Sequence, residues 1–282
     1  MIGDRRLLLG AVSAVILIGA SDIIPVLYVF RLSLMPIHGT VGGAYASVLR
    51  DALFIRSLVN TAVFAVGAAA LQVVAGLAIA RALRPLSHTA HVVWFTVLLA
   101  PWLMSEVASV VLWRSLLMAD VGHLDRWMHA LGFPALRLLA GSTTAMPTLI
   151  IVATWQGIGF TTLVLLGALA TIPVSLYRAS SVCGLTRWRT FLRLELPLLK
   201  PALLAVWVAV ALHSAGQFAL PARLTMGGPM HTTTVASLYL FDRLLSDPTP
   251  AVAAAGGSII LVGLGIACTI GWSLRRAAGA VS

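Results

Sequence analysis

Residues 172–204 read IPVSLYRASSVCGLTRWRTFLRLELPLLKPALL. The stretch sits between two long apolar runs, and it sets Arg178, Arg187, Arg189, Arg193 and Lys200 against the single carboxylate of Glu195. Ser175 follows Pro173 and is placed to cap a helix start. Leu176–Cys183 is long enough for two turns, about 12 Å of helix, and Gly184 can close them in left-handed conformation. A second helical piece is expected over Thr186–Leu196, after which Pro197 and Pro201 lead into the next apolar run. A short capped helix held in such a loop is a shape that another protein can grip. A plain basic loop facing lipid phosphates has the same composition.

The flanking runs set the class of the chain. Apolar residues make up 60% of the 282 and charged residues 10%, where a soluble domain is nearer a quarter charged. Mean hydropathy is +0.99. What remains cannot cover a water-facing surface, so a soluble globular domain and a disordered chain are both excluded. About 20 consecutive apolar residues cross the hydrocarbon core. Six segments qualify: Leu7–Phe30, Leu58–Ala80, Val92–Leu117, Met146–Ile172, Pro201–Leu220 and Ala251–Trp272. They are continuous rather than alternating, which favours helices over barrel strands. The expected fold is an all-α polytopic membrane protein with six transmembrane helices. The first segment contains Asp22, but its Leu, Ile, Val and Phe residues contribute roughly −4 to −8 kcal/mol against roughly +3 for one central aspartate. It is also longer than the apolar core of a signal peptide, so an uncleaved first span is expected.

The net charge of +10 is spread thinly between the runs. It reads as membrane orientation rather than as a nucleic-acid surface. Arg5, Arg6, Arg81, Arg84, Arg178, Arg187, Arg189, Arg193, Lys200, Arg275 and Arg276 fall on one side, opposed only by Asp4 and Glu195. The other side nets +3. Both termini and the 81–91 and 173–200 loops are therefore expected in the cytoplasm, and one membrane domain, 1–282, is the natural count.

Polar groups inside spans are the default candidates for a solute path. Glu106, Gln156 and Gln217 are such groups, with Trp155 as an aromatic surface nearby. His213 and Asp22 are weaker candidates, and the glutamines can equally bond between helices. Gly67, Gly76, Gly157, Gly167, Gly263 and Gly265 suit close helix contact. Cys183 and Cys268 form no ligand spacing, and the histidines are scattered, so no metal site is expected. The only lysine lies between Leu199 and Pro201, so no Gly-Lys-Ser/Thr phosphate loop is present and the chain is not itself that kind of ATPase. No HExxH and no clustered carboxylates support a membrane-embedded enzyme. Asp22 and Glu106 give weak support to an ion-coupled secondary transporter of a small polar solute, which would use paired intramembrane carboxylates.

The 172–204 stretch resembles the signature of the permease subunits of ATP-binding-cassette importers, the binding-protein-dependent inner-membrane component family. Arg178, Ala179 and Ser180 occupy its Glu-Ala-Ala positions. Gly184 fits its glycine, and Leu194-Glu195-Leu196-Pro197 fits its end. Asn60-Thr61, Trp155 with Gly159-Phe160, and Leu224-Thr225-Met226-Gly227-Gly228-Pro229 with Thr232–Thr234 and Tyr239 extend the likeness over about 40–275. The last stretch resembles the carbohydrate branch, of maltose and glycerol-3-phosphate type. Two positions depart: Arg178 reverses the charge of the signature's acid, and Cys183 replaces the acid before the glycine.

The resemblance implies a type I importer permease fold in the bacterial cytoplasmic membrane. It implies half of a sugar pathway, completed by a second permease subunit in a heterodimer. Two ATP-binding subunits would grip the 173–200 loop through Leu176, Tyr177, Arg178, Ala179, Ser180 and Gly184, and an extracytoplasmic solute-binding protein would deliver the solute. ATP is then used by the partner, and this chain needs no cofactor of its own. Lipid is the remaining neighbour, and nucleic acid is not expected.

Overall fold

The computed structural model describes residues 19–21, 23–37, 40, 42–119, 121–132, 134, 137–246 and 250–279, with side chains to residue 273. Asp22 and most of the expected first span, Leu7–Phe30, lie outside the described residues. Its described residues, 19–21 and 23–30, are helical, and the helix over 23–33 is called α1. The helices that follow are α2 (Gly43–Arg50), α3 (Ala52–Leu83), α4 (His88–Leu103), α5 (Glu106–Leu117), α6 (His123–Ala130), α7 (Ala145–Ala170) and α8 (Val174–Val182). A short α9 (Arg187–Thr190) continues through a π turn (Phe191–Glu195) into α10 (Leu196–Ala215), followed by α11 (Ala219–Leu224), α12 (Ala236–Ser246) and α13 (Ala251–Gly279).

Among the described residues four helices are long and apolar enough to cross a membrane: Ala52–Leu83, Ala145–Ala170, Arg187–Ala215 and Ala251–Ser273. The pair α4 and α5 makes a fifth candidate, but it is bent by 96°. The continuous third span expected over Val92–Leu117 is therefore corrected to a broken one. Pro101 lies inside the last turn of α4, where it removes a backbone donor and crowds the preceding carbonyl. α4 stops at Leu103, and Ser105 begins α5 with Glu106 in its first turn, where a carboxylate suits the positive end of the helix.

The fifth span also shifts. The helix begins at Arg187 rather than Pro201 and ends at Ala215 rather than Leu220. Pro197 directly follows the π turn, whose altered hydrogen-bond register accommodates it within the continuous helix, and Gly216 sits at the C-cap. The expected N-cap Ser175 is likewise corrected, because α8 starts at Val174 with Pro173 in the cap position and no side-chain cap bond.

The chain divides into two compact units, residues up to Ile55 with Tyr239–Gly263, and Arg56–Leu238 with Leu264–Ser282. In the larger unit α3 packs on α7 through two buried clusters. Phe64, Ala68, Leu149, Val152, Leu220 and Leu224 form one. Ala69, Leu77, Leu165, Leu169, Val206 and Val210 form the other. Outward-facing Val59, Val63, Val66 and Val74 are about half exposed or more. Water would penalise these side chains, whereas hydrocarbon accepts them.

The helix contacts are close where glycine removes the side chain. A Cβ on Gly159 would lie 2.0 Å from the Leu98 carbonyl oxygen, one on Gly157 2.3 Å from Gln72 Oε1, and one on Gly67 2.7 Å from Ile150. Gly76 is similarly filled by Thr161, whereas Gly167, Gly263 and Gly265 face nothing within 4 Å. The expectation of close contact at those last three is not met within the described residues.

The smaller unit holds a polar cluster. Asp51 pairs with the Arg243 guanidinium, and it accepts hydrogen bonds from the Tyr239 hydroxyl at 2.8 Å and the Leu53 amide at 2.8 Å. Phe54 and Tyr239, both fully buried, pack ring to ring at 5.3 Å. Burial pushes the Asp51 carboxyl up, but the Tyr239, Arg243 and Leu53 donors outweigh it and hold the group below its ordinary value.

Two outcomes follow. Gly159→Ala should lower the melting temperature in detergent, because a backbone carbonyl must move and overpacking costs about 1–3 kcal/mol. Asp51 stabilises the fold above the ordinary carboxylate pKa, and this is lost as pH falls through the lower folded-state value. Asp51→Asn should therefore flatten the acid limb of melting temperature against pH and lower the neutral plateau.

Candidate functional site

The broken span, α3, α7 and α10 border a cavity of about 350 Å³, at the lower end of the size range of small-molecule pockets. α3 supplies Gln72; α4 and its junction supply Trp102 and Met104, and α5 supplies Glu106. α7 adds Ala153, Gln156, Gly157 and Phe160. α10 adds Ala209, Val210 and His213, with Gln217 just beyond it. Of the residues expected along a solute path, Glu106, Gln156 and Gln217 are brought together here. Trp155 is not among the lining residues. It meets Trp113 edge-on at 5.4 Å and 81°, on the side of α7 that carries the Leu149 cluster. The aromatic surface of the cavity comes instead from Trp102 stacked on Phe160, 5.3 Å apart at 18°.

The polar lining falls into two kinds. Gln72 is 4% exposed and fully engaged: its Nε2 donates to the Ala153 carbonyl at 3.2 Å, and its Oε1 accepts from the Thr161 hydroxyl at 3.3 Å. It is a bridge between α3 and α7, and Gly157 leaves the room for it. Gln156 and Gln217 are also largely buried, yet Gln217 Oε1 has no partner, and its Nε2 lies 3.5 Å from His213 Nε2. An unpaired amide oxygen in a cavity, beside one carboxylate and an aromatic face, can accept a hydrogen bond from a hydroxyl-rich guest. Sequence reading missed Gln72 and Trp102. Only the single amide in an apolar run and the Pro101-Trp102 step signalled them.

The 173–200 segment forms the second candidate region. α8 ends in a Schellman turn: Leu185 N–H donates to Ser180 O and Gly184 N–H to Ser181 O, both at 3.0 Å, with Gly184 at φ +68°. The segment presents apolar side chains outward, with Val182 89% and Trp188 62% exposed. Leu176, Arg178 and Ala179 are also exposed, Tyr177 is half-buried, and Ser180 is buried, donating to the Tyr177 carbonyl at 2.8 Å. Thr186 caps α9 by accepting from the Arg189 amide.

Beneath α8 a second cavity of about 690 Å³ is lined in part by Arg81, Arg84, Tyr177, Arg187 and Glu195. Glu195 is buried and pairs with Arg81 Nε at 2.8 Å and Arg84 Nη1 at 3.8 Å. Burial pushes the Tyr177 phenol above its ordinary value, and the nearby Glu195 carboxylate adds to the rise. Among the described residues no three His, Cys, Asp or Glu side chains gather as metal ligands do.

The two kinds of glutamine separate by substitution. Gln72→Leu should destabilise the protein by about 1–3 kcal/mol, because it strands the Thr161 hydroxyl and Ala153 carbonyl. Gln217→Leu should leave the melting temperature unchanged or slightly raised, since it removes an amide oxygen that is already unpaired. Differential scanning fluorimetry on the purified variants checks both.

Comparison with known proteins places the chain among transport permeases. A probable ABC transporter permease protein of Brucella suis biovar 1 is 29% identical over 202 residues, covering 71% of this chain and 70% of that one. The maltose/maltodextrin transport system permease protein MalF of Escherichia coli strain K12 is 29% identical over 206 residues, 72% of this chain but 40% of MalF. A crystal structure of a bacterial alginate ABC transporter, in complex with an alginate pentasaccharide-bound periplasmic protein, superposes with a TM-score of 0.78 at 20% identity. It covers 95% of this chain and 91% of that one, and shows the same fold. The sequence profile of the binding-protein-dependent transport system inner membrane components matches residues 72–277. With well over half of its length matched, the chain belongs to that family, and is a membrane-embedded transport component rather than an enzyme.

Proposed function

We propose that this chain is the permease subunit of an ATP-driven importer for a sugar or sugar-like solute, forming half of the pathway and coupled to a separate ATPase through residues 173–200. The whole chain then acts as one permease domain with six spans and both termini in the cytoplasm. A second permease subunit completes the pore, two ATP-binding subunits sit below it, and an extracytoplasmic solute-binding protein delivers the solute.

The observation that carries this reading is the form of α8. Two turns, locked at the far end by Gly184, are held outside the apolar spans with Val182 thrust into solvent. An isolated two-turn helix is unstable in water, so one kept rigid and exposed is suited to being pushed. The cavity supports the sugar assignment, because Trp102 and Phe160 offer a ring face while Gln156, Gln217, Glu106 and His213 offer donors and acceptors. The maltose name of MalF points the same way.

In this mechanism closure of the ATPase dimer draws the docked loops together, and rigid-body motion of the spans opens the cavity to alternate sides. Leu176, Arg178 and Ala179 form the exposed contact on α8, half-buried Tyr177 backs it, Ser180 serves the helix from inside instead of touching the partner, and Gly184 fixes the end. Trp155 packs on Trp113 beside the Leu149 cluster instead of touching solute. Arg178 stands where the family's signature has an acid, so the matching groove of the ATPase should be acidic.

Gly184→Val places a β-branched residue at φ +68°, a conformation that costs roughly 1–2 kcal/mol for a side-chain-bearing residue. Nothing lies within 4 Å of the added Cβ, so the damage is confined to the turn. Solute uptake in cells should be abolished while the membrane level of the protein stays normal. Wild-type uptake by this variant would refute the coupling role. Affinity purification should bring down a second permease and an ATP-binding subunit, and recovery of this chain alone would overturn the reading.

A further inference from the structure

Glu195 is one acid among the five basic residues of the 173–200 segment, yet it does not face solvent. It is 7% exposed at the end of the π turn. There the Leu196 amide bonds back to Phe191, five residues away instead of four. Turns of this kind are rare and mark places where a helix is held under constraint.

The carboxylate binds two arginines from one helix end, Arg81 at 2.8 Å and Arg84 at 3.8 Å. Each guanidinium also lies over a ring. Arg81 sits 4.1 Å from the Phe191 ring centroid and Arg84 4.0 Å from that of Tyr177. Tyr177 belongs to α8 and Phe191 to the π turn, whereas the arginines belong to the end of α3. One carboxylate and two rings therefore hold three elements together. Gln72, which lines the first cavity and bridges to α7, lies nine residues before Arg81 on the same helix, about 14 Å along its axis.

We propose that Glu195 is a positioning residue that makes α8 and the end of α3 move as one body, so that displacement of the coupling segment reaches the cavity through α3. This rests on the coupling role proposed above. A buried carboxylate stripped of its arginines is strongly disfavoured, so the start of α10 cannot leave the end of α3 without exposing that cost, and α8 is tied to the same arginines because Arg84, held by Glu195, lies over Tyr177. The Arg84–Tyr177 stack carries the motion from α8, and the Arg81–Glu195 pair carries it from the start of α10.

The test uses the complete transporter in proteoliposomes, assembled with its own permease, ATPase and binding-protein partners. Solute uptake and ATP hydrolysis are measured on the same preparation. Glu195→Gln should assemble and hydrolyse ATP, yet transport less solute per ATP by about tenfold or more. The exchanged pair Arg81→Glu with Glu195→Arg should recover most of that ratio. A Glu195→Gln ratio within about twofold of wild type would overturn the inference. Should Glu195→Gln fail to assemble, Glu195→Asp is read by the same ratio and the same limits. A merely structural role would lower uptake and hydrolysis together and leave the ratio unchanged. A wild-type complex that shows no ATP-dependent uptake would instead sink the proposed function, whatever residue 195 does.

Discussion

At residue 159 there is no space for a side chain, because the Leu98 carbonyl oxygen occupies the position of a Cβ. Two residues earlier the Gln72 amide fills the same kind of gap beside Gly157. These approaches bring α7 against both α4 and α3, and the cavity lies between them. In hydrocarbon there is no hydrophobic force between helices, so dispersion and close packing have to supply the attraction. Small residues provide it by letting backbones meet. The Gln72 bridge adds direction to this contact, since its two hydrogen bonds fix the rotation of α3 against α7.

The same balance of packing and polarity recurs at the end of α3. Surface ion pairs contribute little, but Glu195 is enclosed, and its arginines are stacked on rings that limit their freedom. The basic excess of the segment, which orients a membrane protein, thus contains one carboxylate with a structural task. The polar lining of the cavity is arranged differently: Gln72 is satisfied internally, whereas Gln217 retains an unpaired oxygen. The first helps hold the fold and the second is available to a guest.

Much of the fold was legible because apolar length alone reports a span. The runs around residues 58–80, 146–172 and 251–272 needed nothing more. The break at Met104–Ser105 was hidden because both halves are apolar and a hydropathy window averages across the bend. Pro101 was the available clue. The start of the fifth helix is hidden because Pro197 and Pro201 read as interruptions, whereas the π turn ahead of Pro197 carries the helix through them. For the cavity, sequence could nominate polar residues but not the direction they face. Rotation about a uniformly apolar helix leaves no periodic trace, so Trp155 and Trp102 could not be told apart. The left-handed Gly184 was readable because that conformation depends on residue type rather than on distant neighbours.

The right-angle break between α4 and α5 also leaves backbone polar groups without helical partners between two apolar segments. The last carbonyls of α4 and the first amides of α5 have no partners within their own helices, and bare hydrocarbon would penalise each by several kcal/mol. Trp102, Met104 and Glu106 put this junction on the wall of the cavity. The polarity of that wall therefore comes from the backbone as well as from side chains, and it is set by the bend itself.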